Sequence, residues 1–201
     1  MVVASVERTA YPRFKRIISD RELAQFFTPN EAEVAWAARR THDRPESQLA
    51  LLKSCARLGY FPDLEEIPAP VVARVRAAAG LPGHVVPVAQ ERTVKRYRSW
   101  VREYLGLVHD PAHARGIAAS AMEEAAPVRA SVVDLINVAL EKLIRVGLEL
   151  PGFSTLDRMA GSIRARVEGE ICARIAERVG PGAGAAFGTV DGAGRRAPQP
   201  V

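Results

Sequence analysis

The chain has 201 residues, of which 48% are hydrophobic and 25% charged, a composition typical of a globular protein that can bury a core. Its net charge of +5 and pI near 9.6 favour an anionic partner, with nucleic acid first and an acidic membrane surface second. Two cysteines far apart in sequence argue against a disulfide framework, and no apolar run approaches the roughly 18 residues that cross a bilayer.

The N-terminal residues 1–18 predict a loosely ordered lead-in, because their hydrophobic periodicity is weak and Pro12 interrupts it. They lack the apolar segment and cleavage site of a secretory signal, so the expected location is the cytoplasm. Ser19 or Asp20 can cap the first helix, which we expect to end at Phe27.

A second start signal follows directly at residues 28–31. Thr28 reads as the N-cap, Pro29 as the first helical residue and Glu31 as the residue that closes a capping box. The helix then runs to about Arg40, and a cationic turn over residues 39–44 separates it from the next helix.

The next helix is predicted to begin at Pro45 and to end at Gly59, with leucines along one side. A bulky loop over residues 60–62 should pack into the core. A further helix ends at Gly80, and residues 81–89 form a connector containing two prolines and a glycine.

Residues 90–106 predict a short helix with two unlike faces, closed by Gly106. Its apolar stripe contains Val94, Tyr97, Val101, Tyr104 and Leu105. Its polar stripe contains Arg92, Lys95, Arg96, Ser99 and Arg102, with Arg98 at the margin. A helix that packs on one side and offers arginines on the other suits a phosphate backbone or a groove, although a solvated surface helix has the same pattern.

The C-terminal half predicts three more helices. Asp110 and Pro111 open one that Pro127 closes, and the next runs from Ser131 to Gly147. A capping signature at residues 154–157 starts the longest helix, which continues to Val179. Residues 180–201 hold six glycines and three prolines without apolar periodicity and predict a disordered tail.

No stretch alternates with the period of two that marks a strand, so we expect an all-α fold. The predicted architecture is a multi-helix bundle with helix-turn-helix-like DNA-binding elements. The helical domain would span residues 19–179, either as one body or as two subdomains divided near residues 81–90 or 106–110.

We find no residue pattern that predicts catalysis, a metal site or a cofactor site. His109 and His113 are four apart, but Asp110 and Pro111 start a helix between them, so the two imidazoles do not share a face. The glycine-rich residues 182–188 lack the strand and helix that a dinucleotide-binding loop needs. A buried structural role is favoured for Cys55 over a nucleophilic one.

The basic residues remain as candidates, since a guanidinium offers paired donors to phosphate. A third basic set on the last helix is interleaved with glutamates and reads as a solvated face. The candidate DNA-binding residues are therefore Arg39, Arg40, Arg44, Arg92, Lys95, Arg96, Arg98 and Arg102.

Four ordered blocks resemble the N-terminal region of the large replicative transposases of the Tn-three family. They are residues 26–62, residues 64–72, the basic helix ending Val-Arg-Glu-Tyr-Leu-Gly at Gly106, and the segment Leu-Pro-Gly-Phe-Ser-Thr-Leu-Asp-Arg at residues 150–158. The resemblance covers roughly residues 7–179, and the last block is its most specific part.

The resemblance implies an α-helical domain that binds double-stranded DNA at the terminal inverted repeats of a transposon. In that family an Asp-Asp-Glu metal site in a distant C-terminal domain cuts and joins strands. Nothing in this sequence resembles that domain, so the expectation is a truncated homologue that binds DNA and is not an enzyme. The glycine-rich residues after Val179 depart from the family pattern. The alternatives are a non-catalytic interaction module, which would pair with a full-length transposase, or a non-functional remnant.

Overall fold

The computed structural model describes residues 5–40, 44–81, 90–129 and 131–179, most of which are helical. The helices are α1 (Asp20–Phe26), α2 (Glu31–Arg40), α3 (Pro45–Leu58), α4 (Ala69–Ala78), α5 (Glu91–Leu105), α6 (Pro111–Ala125), α7 (Val132–Val146) and α8 (Phe153–Val179). Within the described ranges the only β-structure is an isolated parallel bridge between Val108 and Leu148. The predicted all-α class is confirmed, whereas the helix-turn-helix-like elements stay a prediction.

Several predicted segments lie outside the described ranges. They are the middle of the cationic turn at residues 41–43, the connector at residues 82–89 and the tail at residues 180–201. Within the predicted lead-in, residues 9–18 contain no helix, and the Tyr11 ring is buried. None of the helices in the described ranges is long and apolar enough to cross a membrane.

The helix ends follow local chemistry. Ser19 caps α1 through a capping box with Glu22, and the Asp110 side chain accepts from the backbone N–H groups at the start of α6. Gly59 and Gly106 end α3 and α5 with positive φ angles of 75° and 63°, a conformation that glycine adopts without a steric penalty.

Two predicted helix starts are displaced. Thr28 does not cap α2, because Asn30 and Glu33 form the reciprocal capping box, with both hydrogen bonds at 2.8 Å. The Thr28 hydroxyl instead donates to the Leu23 carbonyl oxygen at the end of α1. The helix α8 begins at Phe153, one residue before the predicted cap at Ser154.

The helix α3 is the centre of the N-terminal packing and contacts α2, α4 and α5. Its central turns are buried on all sides, which explains why nearly every residue from Glu46 to Leu52 is inaccessible to solvent. The charges of Glu46 and Lys53 at its margins are paired with Arg76 and Glu33, at 3.7 and 3.1 Å. This packing fixes α2 and α5 on the same central helix.

The helices α6 and α7 pack against each other through apolar side chains. The buried members include Ala114, Ala118, Met122, Leu135, Ile136 and Leu143. Arg164 on α8 donates to the carbonyl oxygens of Ala126 and Arg129, both at 3.1 Å, at the end of α6. The contacts divide the chain into two units, Met1–Arg164 and Ala165–Val201, and α8 contributes residues to both.

Candidate nucleic-acid interface

The basic helix α5 has one buried and one exposed face. Tyr97 and Val101 are buried against α3 and its neighbours. Arg92, Lys95 and Arg96 are exposed. Because these three cations are one turn or less apart on the same face, α5 presents a compact positive surface to solvent.

Two of the predicted DNA-binding arginines are held by the protein itself. Arg102 donates through Nε to Glu149 Oε2 at 2.7 Å, and its guanidinium lies 4.9 Å from the Phe61 ring centroid. Arg98 donates to Asp63 Oδ1 at 2.9 Å and also lies over Phe61. The exposed cationic face is therefore narrower than the sequence pattern indicates, because Arg98 and Arg102 point towards carboxylates from other segments.

Arg40 joins the end of α2 to α5. Its Nη1 and Nη2 donate to the two carboxylate oxygens of Glu103, at 3.2 and 3.5 Å. Its guanidinium also lies 5.6 Å from the centroids of both Trp36 and Trp100. These contacts bring the end of α2, with exposed Arg39 beside Arg40, next to the cationic face of α5.

The remaining candidates differ in how they are held. Lys95 pairs with Glu91 at 2.7 Å, and both side chains are largely exposed. That lysine lowers the pKa of Glu91 through a hydrogen bond and its charge. In the described ranges no carboxylate lies within ion-pair distance of Arg39, Arg92 or Arg96. Arg44 is exposed at the start of α3.

The blocks that carry the family resemblance meet in the structure. The backbone N–H of Leu150 donates to the Gly59 carbonyl oxygen at 2.9 Å, so the segment before α8 is fixed to the end of α3. The Tyr11 hydroxyl donates to the Pro151 carbonyl oxygen at 3.1 Å, and its ring packs on Tyr60. These contacts are structural and involve none of the exposed cations of α5.

An open cavity of about 240 Å³ lies beside the junction, by which we mean the contact between the end of α3 and the segment before α8. Its lining residues include His109, Asp110, Arg115, Glu149 and Thr155. His109 Nδ1 is 2.8 Å from Glu149 Oε2, the oxygen that also accepts from Arg102. Over the described residues, no group of three or more histidine, cysteine, aspartate or glutamate side chains could hold a metal ion.

Sequence reasoning missed the acidic and aromatic partners of the arginines. Glu103 and Glu149 lie 63 and 47 residues from Arg40 and Arg102, so helical spacing gives no signal for these pairs. Tyr104 is expected in the apolar stripe, yet 39% of its surface is exposed and its ring lies 4.7 Å from that of Trp36. The sequence offered one signal for the aromatic partners, because Tyr97 and Trp100 lie among the cations of residues 92–102.

Residues 3–163 match the model of a domain of unknown function, DUF4158. The chain belongs to this family. The match to DUF4158 covers α1 to α7, the junction and the whole cationic face, and it ends within α8. No curated protein matches the chain.

Proposed function

We propose that this DUF4158 chain binds double-stranded DNA and is the inverted-repeat-recognising head of a Tn-three family transposase. The observation that carries the proposal is the exposed face of α5, where Arg92, Lys95 and Arg96 lie together beside the end of α2. A rigid helical scaffold with unpaired guanidinium groups on one face is suited to phosphates and base edges. The four sequence blocks that resemble the transposases and the pI near 9.6 support the same class of partner.

The proposed activity is binding without strand cleavage, and we assign no catalytic step to any described residue. In the proposed complex α5 lies in or across a groove, and Arg39 at the end of α2 contacts the adjacent backbone. Arg98 and Arg102 act from beneath, where their ion pairs with Asp63 and Glu149 hold α5 in place.

The test compares the affinity of the chain for two duplexes. One carries the terminal inverted repeat that flanks the coding sequence, or a duplex selected from a random library, and the other is its scrambled version. We expect Arg92→Ala, Lys95→Ala and Arg96→Ala together to weaken binding of the first duplex about tenfold or more, because three phosphate or base contacts are lost.

The matched control removes three exposed cations elsewhere, with Arg129→Ala, Lys142→Ala and Arg145→Ala on and before α7. This variant loses the same net charge but leaves the cations of α5 in place. It should therefore retain most of the affinity for the duplex. An equal loss in both triple variants, with helicity by circular dichroism unchanged, would exclude α5 as the DNA-binding surface.

A second candidate is a helical module that pairs with a full-length transposase. It is supported by Ile171 and Ile175, which lie one turn apart on α8 in the second unit and are half-buried and 55% exposed, respectively. A chain that binds neither duplex but co-migrates with full-length transposase on gel filtration would favour this alternative.

A further inference from the structure

A single indole ring on α5 supports two guanidinium groups. Arg40 and Arg96 lie 5.6 and 5.1 Å from the centroid of Trp100, which is half-buried on the side of α5 nearest α2. The two arginines differ in what their N–H groups contact. The Nη1 and Nη2 groups of Arg40 donate to the two oxygens of Glu103, so the paired-donor edge of this guanidinium is occupied.

The N–H groups of Arg96 have no such partner. Its side chain is exposed, and none of the carboxylates in the described ranges lies within ion-pair distance. The ring face of Trp100 attracts the cation and limits its rotation. The N–H groups lie around the rim of a guanidinium, so contact with a ring leaves donors available to a ligand. Arg96 is thus a fork of paired donors that lies over the Trp100 ring and pairs with no carboxylate in the described ranges.

The other exposed cations of α5 lack this support. Arg92 lies one turn earlier on the same face, and no aromatic ring in the described ranges is stacked on its guanidinium. Lys95 is a point charge paired with Glu91. A phosphate tolerates a mobile or point-like cation, whereas the two acceptors of a guanine edge are matched best by two donors held in one plane. Exposed Ser99, three residues after Arg96, is small enough to let a groove approach the helix there.

We infer that Arg96 reads a guanine in the major groove, donating from its two terminal nitrogens to N7 and O6 of the base, with Trp100 as its positioning residue. This inference rests on the proposed function and adds a base specificity to it. Arginine paired to guanine is the commonest specific contact in protein–DNA complexes, because the fork matches the two acceptors. Arg92 and Lys95 contact phosphates and carry no sequence information.

The test selects duplexes from a random-sequence library with the full chain and with the matched variants Arg96→Ala and Arg92→Ala. We expect Arg96→Ala to remove a guanine preference at one position of the selected motif and to weaken binding of the wild-type duplex about tenfold. Arg92→Ala should weaken binding to all duplexes alike and leave the motif unchanged. Arg96→Lys keeps a cation that can itself donate to guanine, so it should reduce the guanine preference less than Arg96→Ala does.

A chemical substitution in the DNA separates base from phosphate contact. Replacing the selected guanine by 7-deazaguanine removes the N7 acceptor and leaves every phosphate in place. It should weaken binding by the wild-type chain and have no further effect on Arg96→Ala. For Trp100, the Trp100→Phe variant retains a ring and should keep the guanine preference, whereas folded Trp100→Leu should lose it.

The outcomes distinguish the two proposals. An Arg96→Ala variant that selects the same motif, with uniformly lower affinity, would make Arg96 a phosphate contact and overturn the base assignment while leaving DNA binding intact. A wild-type chain that binds duplexes without any preference overturns it equally. A chain that binds no duplex removes the proposed function and this inference with it.

Discussion

Arg102, one of the predicted DNA-binding residues, forms an ion pair with Glu149 within the protein. Their side chains are only 22% and 15% exposed, and the 2.7 Å contact joins α5 to the segment before α8. Phe61 covers the guanidinium, and His109 shares the carboxylate. A charged group left without its partner at such a partly buried position is destabilising.

We expect Arg102→Ala to lower the free energy of unfolding by about 1–3 kcal/mol, since Glu149 would lose its charged donor in a shielded position. Urea denaturation followed by circular dichroism measures the change. Arg92→Ala, which removes an exposed arginine of the same helix, should stay within about 0.5 kcal/mol of wild type. Equal effects of the two substitutions would contradict the structural role of Arg102.

Cys55 is the buried thiol and Cys172 the exposed one. Burial raises the pKa of the Cys55 thiol from 9.0 to about 12, and the nearby Glu149 charge adds to the rise, against an opposing influence of Arg102 and Arg98. We expect a thiol reagent to modify one cysteine of the native chain quickly and the second only after denaturation. Cys172→Ser should have no fast-reacting thiol; a fast reaction in that variant would show that Cys55 is accessible.

The same pKa shift sets a dependence of stability on pH. The folded state holds the Cys55 proton more tightly than the unfolded state, so this contribution to stability is fully present below pH 9.0. It is lost as the pH rises towards 12, where the folded thiol also ionises. Melting temperatures recorded across that window, for wild type and Cys55→Ala, test the sign.

At the scale of the element, helix ends were the most predictable features. Gly59, Gly106 and Gly147 end helices where the sequence indicates, because a left-handed terminal residue depends mainly on glycine itself. The start of α2 was less predictable, since Thr28 and Asn30 are both good caps two residues apart. Asn30 is the cap because the Thr28 hydroxyl instead donates to the Leu23 carbonyl oxygen at the end of α1 and accepts from Arg74 Nε.

Gly59 and Gly106 form a matched pair for testing the junction. Both have positive φ, but an added Cβ at Gly59 would lie 3.1 Å from Leu150 Cδ1, whereas Gly106 has nothing within 4 Å. We expect Gly106→Ala to cost about 1–2 kcal/mol from backbone conformation alone. Gly59→Ala should cost about 1 kcal/mol more, because Leu150 must also shift.

Urea denaturation of the two variants measures both costs. Equal losses would show that Leu150 yields freely, and the contact between the end of α3 and the segment before α8 would then contribute little to specifying the fold. A larger loss at Gly106 would contradict the proposed strain at Gly59.

For the whole molecule, the helical class and the position of the basic helix could be predicted, because apolar periodicity and caps are local signals. The exposed cationic face could be predicted only in part. Periodicity places Arg92, Lys95 and Arg96 on one face, but it cannot show that Glu103, Asp63 and Glu149 approach the neighbouring arginines from distant segments. Tertiary pairing therefore decides which cations can meet a ligand.

The salt dependence of DNA binding reports how many phosphates the cations of α5 neutralise. Because Arg92 and Lys95 are the proposed phosphate contacts of α5, removing the three cations should make the slope of log affinity against log salt shallower by about 1.8. Titrations at several potassium chloride concentrations measure the slope. The Arg129, Lys142 and Arg145 control should keep the wild-type slope; an unchanged slope in the α5 variant would place the phosphate contacts elsewhere.

The contact between α2 and α5 also gives the protein a built-in optical reporter. The sequence contains two tryptophans, and both Trp36 and Trp100 lie around the Arg40 guanidinium at this contact. Tryptophan fluorescence will therefore report structural changes at the contact between α2 and α5, and it will report little about α6, α7 and α8. A duplex seated on the cationic face should quench or shift that emission without any added label.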